Sequence, residues 1–497
     1  MRRLRWIAAV CLPLGVGLAG CGLTRPPATV EAPFPAQWHA PLPHGGSVAS
    51  LADWWRQLDD PLLVELIAAA ETASPNLASA AARVAEARST RVQAGAALLP
   101  NLDGTLSASR GVSGSSFGSG GTTASSSTSA SAAIAPVTTL QAGLQSRWEI
   151  DLFGRLRSDR DSAEQKLSSA TAKWHDARVA VAAETANAYF AERACQQQLR
   201  VAESDAKSRG ETARLTDLSA RAGFTAPADA ALARASASDA SGRLTQQRAQ
   251  CAVQRKALVA LSGIDEPTLE QKLAASPAQR ALPVVGSIAS VPAEAISQRP
   301  DVYATELGVA SASADVGSAE AERYPKLSIS GSIGRMQIRT SGFRASLDTW
   351  SIGPVSLTVP LLDGGARAAN SDAAKARYTE AVSLYRANVR QAVREVEEAL
   401  VNLDATDARA TDADSAVKNY QASFDATQAR YQSGLASLFE LEDSRRTLFA
   451  AQTARVSLQR ERAQAWVALY RSMGGGWARP GSPSMTSNPA AKVATSP

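Results

Sequence analysis

The 497-residue sequence predicts an α+β membrane protein made of two copies of one pattern, a pair of strands followed by a long helical hairpin. Three observations carry this. Turn signals recur at a constant spacing: Gly154 and Gly365, Gly223 and Gly434, and Gly263 and Gly474 are each 211 residues apart. Four short runs alternate apolar and polar residues with period two, the pattern of a sheet with one apolar face. The composition is 45% hydrophobic but only 5% aromatic, and alanine supplies much of the apolar content, which favours long, closely packed helices over thick globular cores.

The N-terminus reads as an address. Arg2, Arg3 and Arg5 precede a short apolar run from Trp6 to Gly17, as in a secretory signal, so residues 1–20 are expected to be removed. The segment ends Leu18-Ala19-Gly20-Cys21, the pattern of a lipobox, which makes Cys21 the expected site of lipidation. No aspartate follows the cysteine, so the expected location is the outer membrane, with the lipid as anchor and most of the chain on the periplasmic side. Residues 21–60 form an N-terminal acylated segment.

The first copy spans 61–263. A helix leads into strands at about 101–110 and 139–150: Leu102, Gly104, Leu106 and Ala108 alternate with Asn101, Asp103, Thr105 and Ser107, and Leu140, Ala142, Leu144, Trp148 and Ile150 with Gln141, Gln145, Arg147 and Glu149. A helical hairpin over 154–262 follows, turning at Gly223. A linker at 264–300 joins it to the second copy, 301–474, with strands at about 326–338 and 350–360 and a hairpin over 365–473 turning at Gly434. There Leu327, Ile329 and Ile333 alternate with Ser328, Ser330 and Ser332, and Val355, Leu357 and Val359 with Ser356 and Thr358. Residues 475–497 read as a flexible tail. One apolar and one small polar face suit a membrane barrel with a wet lumen. Four strands cannot close such a barrel, which takes about eight at least, so copies of the chain must pool their strands.

Within the hairpins, Val389, Val393, Val396, Leu400 and Leu403 follow the 4-3-4-3 spacing of a coiled-coil seam, and Val179, Ala183, Ala186 and Phe190 form a weaker stripe. The run 111–131, nearly all Gly, Ser, Thr and Ala, reads as an external loop. Its Gly114-Ser115-Ser116-Phe117-Gly118 matches a hydrolase elbow by accident, for it lacks the buried strand and helix that motif needs.

Several classes are excluded. Taking Arg2, Arg3 and Arg5 from the 52 basic residues leaves 49 against 47 acidic, a net +2 with no basic stripe, so nucleic acid is not an expected partner. His39, His44 and His175 are scattered, and there is no metal-ligand spacing, phosphate loop or nucleophile with a base; no enzyme, cofactor or metal is expected. A lipid-anchored coiled-coil scaffold explains the helices but not the paired strand runs.

Together these features resemble the TolC-like outer-membrane factors, in their acylated NodT branch. The likeness rests on Asp53-Trp54-Trp55 with Asp60-Pro61-Leu62, Leu99-Pro100-Asn101-Leu102, Trp148 to Gly154, Arg299-Pro300-Asp301-Val302 with Tyr324-Pro325-Lys326-Leu327, and Arg430-Tyr431-Gln432-Ser433-Gly434. It implies a homotrimer whose twelve strands form one outer-membrane β-barrel, continued by a periplasmic α-helical coiled-coil barrel of twelve helices with a mixed equatorial region. Such a tunnel is the exit channel of a tripartite efflux pump. Its partners are a periplasmic adaptor (membrane fusion) protein and an inner-membrane transporter of RND type, and its expected cargo is drugs or other small toxic compounds. Outlets for protein secretion or cation efflux are the neighbouring alternatives, although four Met and three His argue mildly against a copper or silver route.

The resemblance also implies where the mechanism sits. Ala222, Gly223, Phe224, Ser433, Gly434 and Leu435 are the adaptor-docking tips. Asp229, Tyr431, Glu440 and Asp443 make the periplasmic gate, with Tyr431 answered by Asp229 and the two other carboxylates forming rings around the aperture. Ala436 stands where some members carry an arginine that helps lock the gate, so the lock is expected to be incomplete or built differently. Cys195 and Cys251 are equidistant from Gly223 and so level across the first hairpin; a disulfide and two buried thiols are both open.

Overall fold

The computed structural model describes residues 23–33, 55, 58, 60–112, 136–276, 296–340 and 343–480. The signal segment, Cys21, most of the run 111–131, much of the 264–300 linker and residues 481–497 lie outside them. The elements are α1 (Pro61–Ala73), α2 (Pro75–Ala96), β1 (Asn101–Gly111), β2 (Val137–Ile150), α3 (Arg155–Arg221), α4 (Pro227–Ser262), α5 (Glu266–Ala275), α6 (Pro300–Ala321), β3 (Lys326–Thr340), β4 (Phe343–Thr358), α7 (Ala366–Gln432) and α8 (Leu438–Ser472). α3 and α7 are both 67 residues long, and the starts of α3 and α7, and of α4 and α8, are again 211 residues apart. One strand differs from expectation: β4 begins at Phe343, not near 350. Its first rungs alternate in the opposite phase: Phe343, Ala345 and Leu347 are apolar there, whereas Trp350 and Ile352 follow on even positions, so the run read from sequence starts only after the phase changes at Asp348–Thr349.

The chain divides into two compact units, Met1–Val30 with Ala85–Leu167 and Leu307–Val382, and Glu31–Val84 with Ser168–Glu306 and Ser383–Pro497. The first holds one antiparallel sheet in the order β1-β2-β3-β4. Register sets its faces. Leu102 and Leu106 on β1, Leu140, Leu144, Trp148 and Ile150 on β2, Leu327, Ile329 and Ile333 on β3, and Trp350, Ile352, Val355 and Leu357 on β4 share one face. That face is bare: Leu106 is 84% exposed, Ile352 83% and Trp350 76%. The other face carries Asn101, Asp103 and Thr105, Gln141, Gln145 and Arg147, Ser328, Ser330 and Ser332, and Thr349, Ser351 and Ser356, with Ser332 and Ser351 hydroxyls 2.8 Å apart. Beyond Gly334 and Thr349 the faces of β3 and β4 exchange character, Arg335, Gln337, Ser346 and Asp348 continuing the first and Met336, Ile338, Ala345 and Leu347 the second. Gly143 lies opposite Gly334, and a Cβ on either would meet a carbonyl oxygen of the other strand within 2.8 Å, so glycine is required for this close approach. In the same unit, residues 25–27 are tied to the helices near the sheet. Arg25 pairs with Asp161 at 3.3 Å, Ser313 donates to the Pro26 carbonyl, and Tyr378 donates to that of Pro27.

The second unit is built on α-helical packing. Leu63 and Leu66 of α1, Leu258 of α4, Leu269 of α5, Leu400 and Leu403 of α7 and Leu441, Trp466 and Leu469 of α8 are essentially inaccessible. The α7 seam runs Val389, Ala392, Val396, Leu400, Leu403; Val393 is only half-buried and the smaller Ala392 takes its place. On α3 the stripe ends likewise on Tyr189 instead of Phe190. Tyr189 can enter because its hydroxyl donates to Asp60 at 2.5 Å and accepts from Arg193 Nε at 2.9 Å. Asp60 in turn caps α1 by accepting from the Leu62 and Leu63 amides. Arg299, also buried, donates to the Ser472 carbonyl, to Asp301 and to Glu395, tying the start of α6 to the end of α8 and to α7. This gives the Arg299-Pro300-Asp301 motif its structural work. Cys195 of α3 and Cys251 of α4 are joined in a disulfide with Cα atoms 5.5 Å apart, deciding between the two open alternatives.

Candidate functional site at the hairpin ends

Both hairpins turn by one device. Phe224 N–H reaches back to the Ser219 carbonyl and Gly223 N–H to Ala220; Leu435 N–H reaches the Arg430 carbonyl and Gly434 N–H reaches Tyr431. This is the Schellman pattern, which needs a left-handed residue just past the helix. Gly223 (φ +77°) and Gly434 (φ +76°) supply it. Every expected docking residue, Ala222, Gly223, Phe224, Ser433, Gly434 and Leu435, is exposed, and Phe224 is 86% so. Phe439, one turn further on, is exposed too and extends the apolar tip beyond the residues read from sequence.

The expected gate residues do not act as one cluster within the chain. Tyr431 packs against two small clusters, Ala213 with Ala233 and Leu438, and Phe424 with Leu441 and Leu448, and its hydroxyl lies 3.2 Å from that of Thr216. Thr216 already donates to the Thr212 carbonyl, so Tyr431 is the donor. Asp229, the expected answer to Tyr431, is exposed in the first turn of α4, where its charge suits the helix N-terminus. The expected Tyr431–Asp229 pair is therefore not made within the subunit. Glu440 is the N3 residue of a capping box: its carboxylate accepts from the Ser437 amide at 2.7 Å while its amide donates to Ser437 Oγ at 3.2 Å. Those bonds from Ser437, with Arg430 nearby, hold its carboxyl below the usual range. Asp443 is exposed and paired with Arg446 at 2.5 Å. Near the half-buried Ala436, Arg430 donates to the Leu435 carbonyl at 3.1 Å, so a basic side chain serves the tip from the ascending helix instead.

Just inside the tips lies a buried ionic cluster that sequence reasoning missed. Glu442 of α8 accepts from Arg209 of α3, from Ser236 of α4 at 2.6 Å and from Arg445 of α8 at 2.6 Å. Arg209 also donates to Asp205 at 2.8 Å, and Asp205 accepts from Arg243 at 3.3 Å. Arg445 donates to Thr212 at 3.1 Å and lies 5.6 Å from the centre of the Phe424 ring. Burial lowers the pKa of the Arg445 guanidinium, a cost of holding its charge away from water that these partners offset. The cluster holds the second hairpin to the first above the place where both turn.

The family model of outer membrane efflux proteins matches residues 66–264 and 291–475, nearly all of both hairpins and the sheet. The chain belongs to this family. It is 31% identical over 488 residues to the pyoverdine export outer membrane protein OpmQ of Pseudomonas aeruginosa, covering 96% of this chain and 97% of that protein. It is 29% identical over 469 residues to the solvent efflux pump outer membrane protein SrpC of Pseudomonas putida, covering 93% and 96%. Among solved structures, the outer-membrane channel OprN matches with a TM-score of 0.77 at 27% identity, over 91% of this chain and 99% of that one. The Campylobacter jejuni CmeC outer membrane channel shares the fold, with a TM-score of 0.74 at 20% identity over 92% and 94% of the two chains. The chain is thus an outer-membrane efflux channel with a large periplasmic helical extension, in a family of conduits and not of enzymes.

Proposed function

We propose that three copies of this chain close a twelve-stranded barrel and a twelve-helix periplasmic tunnel, each built from duplicated strand-pair and hairpin units. The observation that carries the proposal is the four-stranded sheet. Over its half nearer the helices it presents a bare apolar band on one face and small polar side chains on the other, and its unpaired edges are β1 and β4. In lipid every unpaired backbone group costs several kcal/mol, so such a sheet is stable only when its edges meet those of other copies. The acylated Cys21 supplies a second membrane attachment. Residues 25–27 support this, since they are tied to helices beside the sheet and Arg25 is four steps along the chain from Cys21, a reach of about 13 Å.

The tunnel passes small organic compounds handed on by an RND-type transporter and its periplasmic adaptor, which choose the cargo. The tips from Ala222 to Phe224 and from Ser433 to Leu435, with Phe439, dock the adaptor; exposed apolar side chains at the end of a long polar hairpin are the feature that favours this. Asp443 and Glu440 ring the periplasmic aperture, and Tyr431 and Asp229 meet between neighbouring subunits. The test is the detergent-corrected mass of protein extracted from outer membranes, together with single-channel conductance. A conducting three-chain particle is expected; a monomer held only by its lipid would refute the shared barrel.

A further inference from the structure

Towards the end of the sheet farther from the helices the apolar face turns polar in steps: on β3 and β4, Arg335 opposite Asp348 and Gln337 opposite Ser346 follow Ile333 and Trp350, while β1 and β2 stay apolar to Ala108 and Leu140. Following register from strand to strand, Arg110 of β1 lies opposite Thr138 of β2, Thr138 opposite Arg339 of β3, and Arg339 opposite Arg344 of β4. Three exposed arginines thus occupy one transverse rung of the face that carries the apolar band. Neighbouring strands are about 4.8 Å apart, so Arg339 and Arg344 are about 5 Å apart at the backbone, and Arg110 stands about 10 Å from Arg339. Like charges directly opposed across a ladder repel and destabilise the pair. Among the described residues no carboxylate answers them; Arg339 donates to Gln337, and the nearby Asp348 is paired with Arg335 at 3.5 Å. Nor does the adjoining sequence supply one, because residues 104–148 and 327–347 contain no Asp or Glu.

The height of the rung identifies what faces it. On β2 the apolar face runs from Ile150 to Leu140, ten residues or about 34 Å along the strand. At the usual tilt of about 40° that is about 26 Å of height, the thickness of a lipid-facing band. The arginine rung is the next one beyond Leu140 on β2 and the third beyond Ile333 on β3, past the Arg335–Asp348 pair, at headgroup level. We propose that Arg110, Arg339 and Arg344 form a binding site for the phosphate groups of lipids in the leaflet farther from the helical hairpins. Guanidinium forks suit this ligand, since each can give two parallel N–H bonds to phosphate oxygens and one phosphate can bridge the opposed pair. The inference rests on the closed-barrel reading, because only closure turns this face to lipid.

The test uses the full-length protein in detergent, titrated with a bisphosphorylated glycolipid (lipid A) and with the same lipid after enzymatic removal of both phosphates, with bound lipid counted by native mass spectrometry. Arg110→Gln/Arg339→Gln/Arg344→Gln should weaken binding of the phosphorylated lipid on the order of a hundredfold, from about fivefold per arginine beside an anionic surface. Arg110→Lys/Arg339→Lys/Arg344→Lys, which keeps the charge but not the forks, should bind more tightly than the Gln variant and less tightly than wild type, which separates loss of charge from loss of fold. The wild type should hold the dephosphorylated lipid no better than the Gln variant holds the intact one. Equal binding of the phosphorylated lipid by wild type and Gln variant, or of both lipids by wild type, overturns the inference. The mass and conductance of the same samples separate the two claims: a conducting trimer indifferent to the arginines sinks only the lipid site, whereas a wild type that never closes sinks the barrel with it.

Discussion

Replacing Glu442 by alanine removes the carboxylate at the centre of the buried cluster between the hairpins. It takes away acceptors for Arg209, Arg445 and Ser236 at once. Arg209 keeps Asp205, but Arg445 is left with a single hydroxyl bond to Thr212 and the face of Phe424. Breaking a buried pair from one side costs about 3–5 kcal/mol, because the remaining charge stays buried without its partner. A large oligomeric barrel has no simple two-state unfolding, so the cost should be read locally. Amide hydrogen exchange in 205–216 and 436–449 should accelerate by between about a hundredfold and several thousandfold, at one decade per 1.36 kcal/mol. Glu442→Gln, which keeps an acceptor but no charge, should fall between. Glu440→Ala is the comparison, since it removes only one half of an exposed capping box and should cost about 1 kcal/mol. Exchange in Glu442→Ala within threefold of wild type, or no faster than in Glu440→Ala, would refute the claim that the cluster fastens the two hairpins together.

Four further expectations follow from other parts of the molecule. Asp443→Ala should raise dye and antibiotic leak through the assembled channel, and unchanged uptake would count against a carboxylate ring; because Arg446 already offsets Asp443, Arg446→Ala should deepen the negative field and favour cations in single-channel recordings. Cys195→Ser should cost the first hairpin about 4 kcal/mol on the chain-entropy model for a 56-residue separation, seen as faster proteolysis of α3 and α4 under non-reducing conditions, with the second hairpin unaffected. Gly434→Ala should cost about 1–2 kcal/mol of local stability at the tip although its Cβ meets no atom, because the penalty lies in the positive φ; if Gly434→Asn is no milder in hydrogen exchange, that cause is wrong. Glu320, bonded to Lys375, Ser371 and Arg323, has its pKa pulled from 4.5 to about 2. Its depressed folded value stabilises the α6–α7 contact above pH 4.5 and loses that contribution as pH falls towards 2, so exchange near Ser371 should rise across this window and Lys375→Ala should flatten the rise.

The parts of the fold legible in the sequence are those governed by local rules. The glycines at constant spacing mark real helix ends because a left-handed cap is a local requirement, and the alternating runs mark real strands because period two is a property of the backbone. Reading failed where the outcome depends on partners far away in the chain. A stripe ending on Phe190 is the better hydrophobic guess, yet Tyr189 is the buried residue because Asp60, 129 residues earlier, receives its hydroxyl. Asp205, Arg209, Glu442 and Arg445 each look like ordinary charges on a helix surface, and only the packing of α3, α4 and α8 makes them one cluster. Of the proposed gate residues, the sequence shows where the carboxylates lie but not their local obligations. Ser437-Leu438-Phe439-Glu440 carries a readable capping box that binds Glu440 to its own helix start, whereas the Thr216 partner of Tyr431, 215 residues away, has no signature.

The two edges of the sheet are unlike, with β1 at one side and the longer β4 at the other. In a closed ring each copy offers one kind of edge to the neighbour on its left and the other kind to the neighbour on its right, a head-to-tail contact. A subunit damaged along β4 still presents an intact β1, so it would be admitted to the ring and then spoil it. Expressed beside an equal amount of normal chain, such a variant would leave only about one ring in eight free of it if the ring has the three copies proposed above. A defect in a single edge strand would therefore behave genetically as dominant, while loss of the whole gene would be recessive.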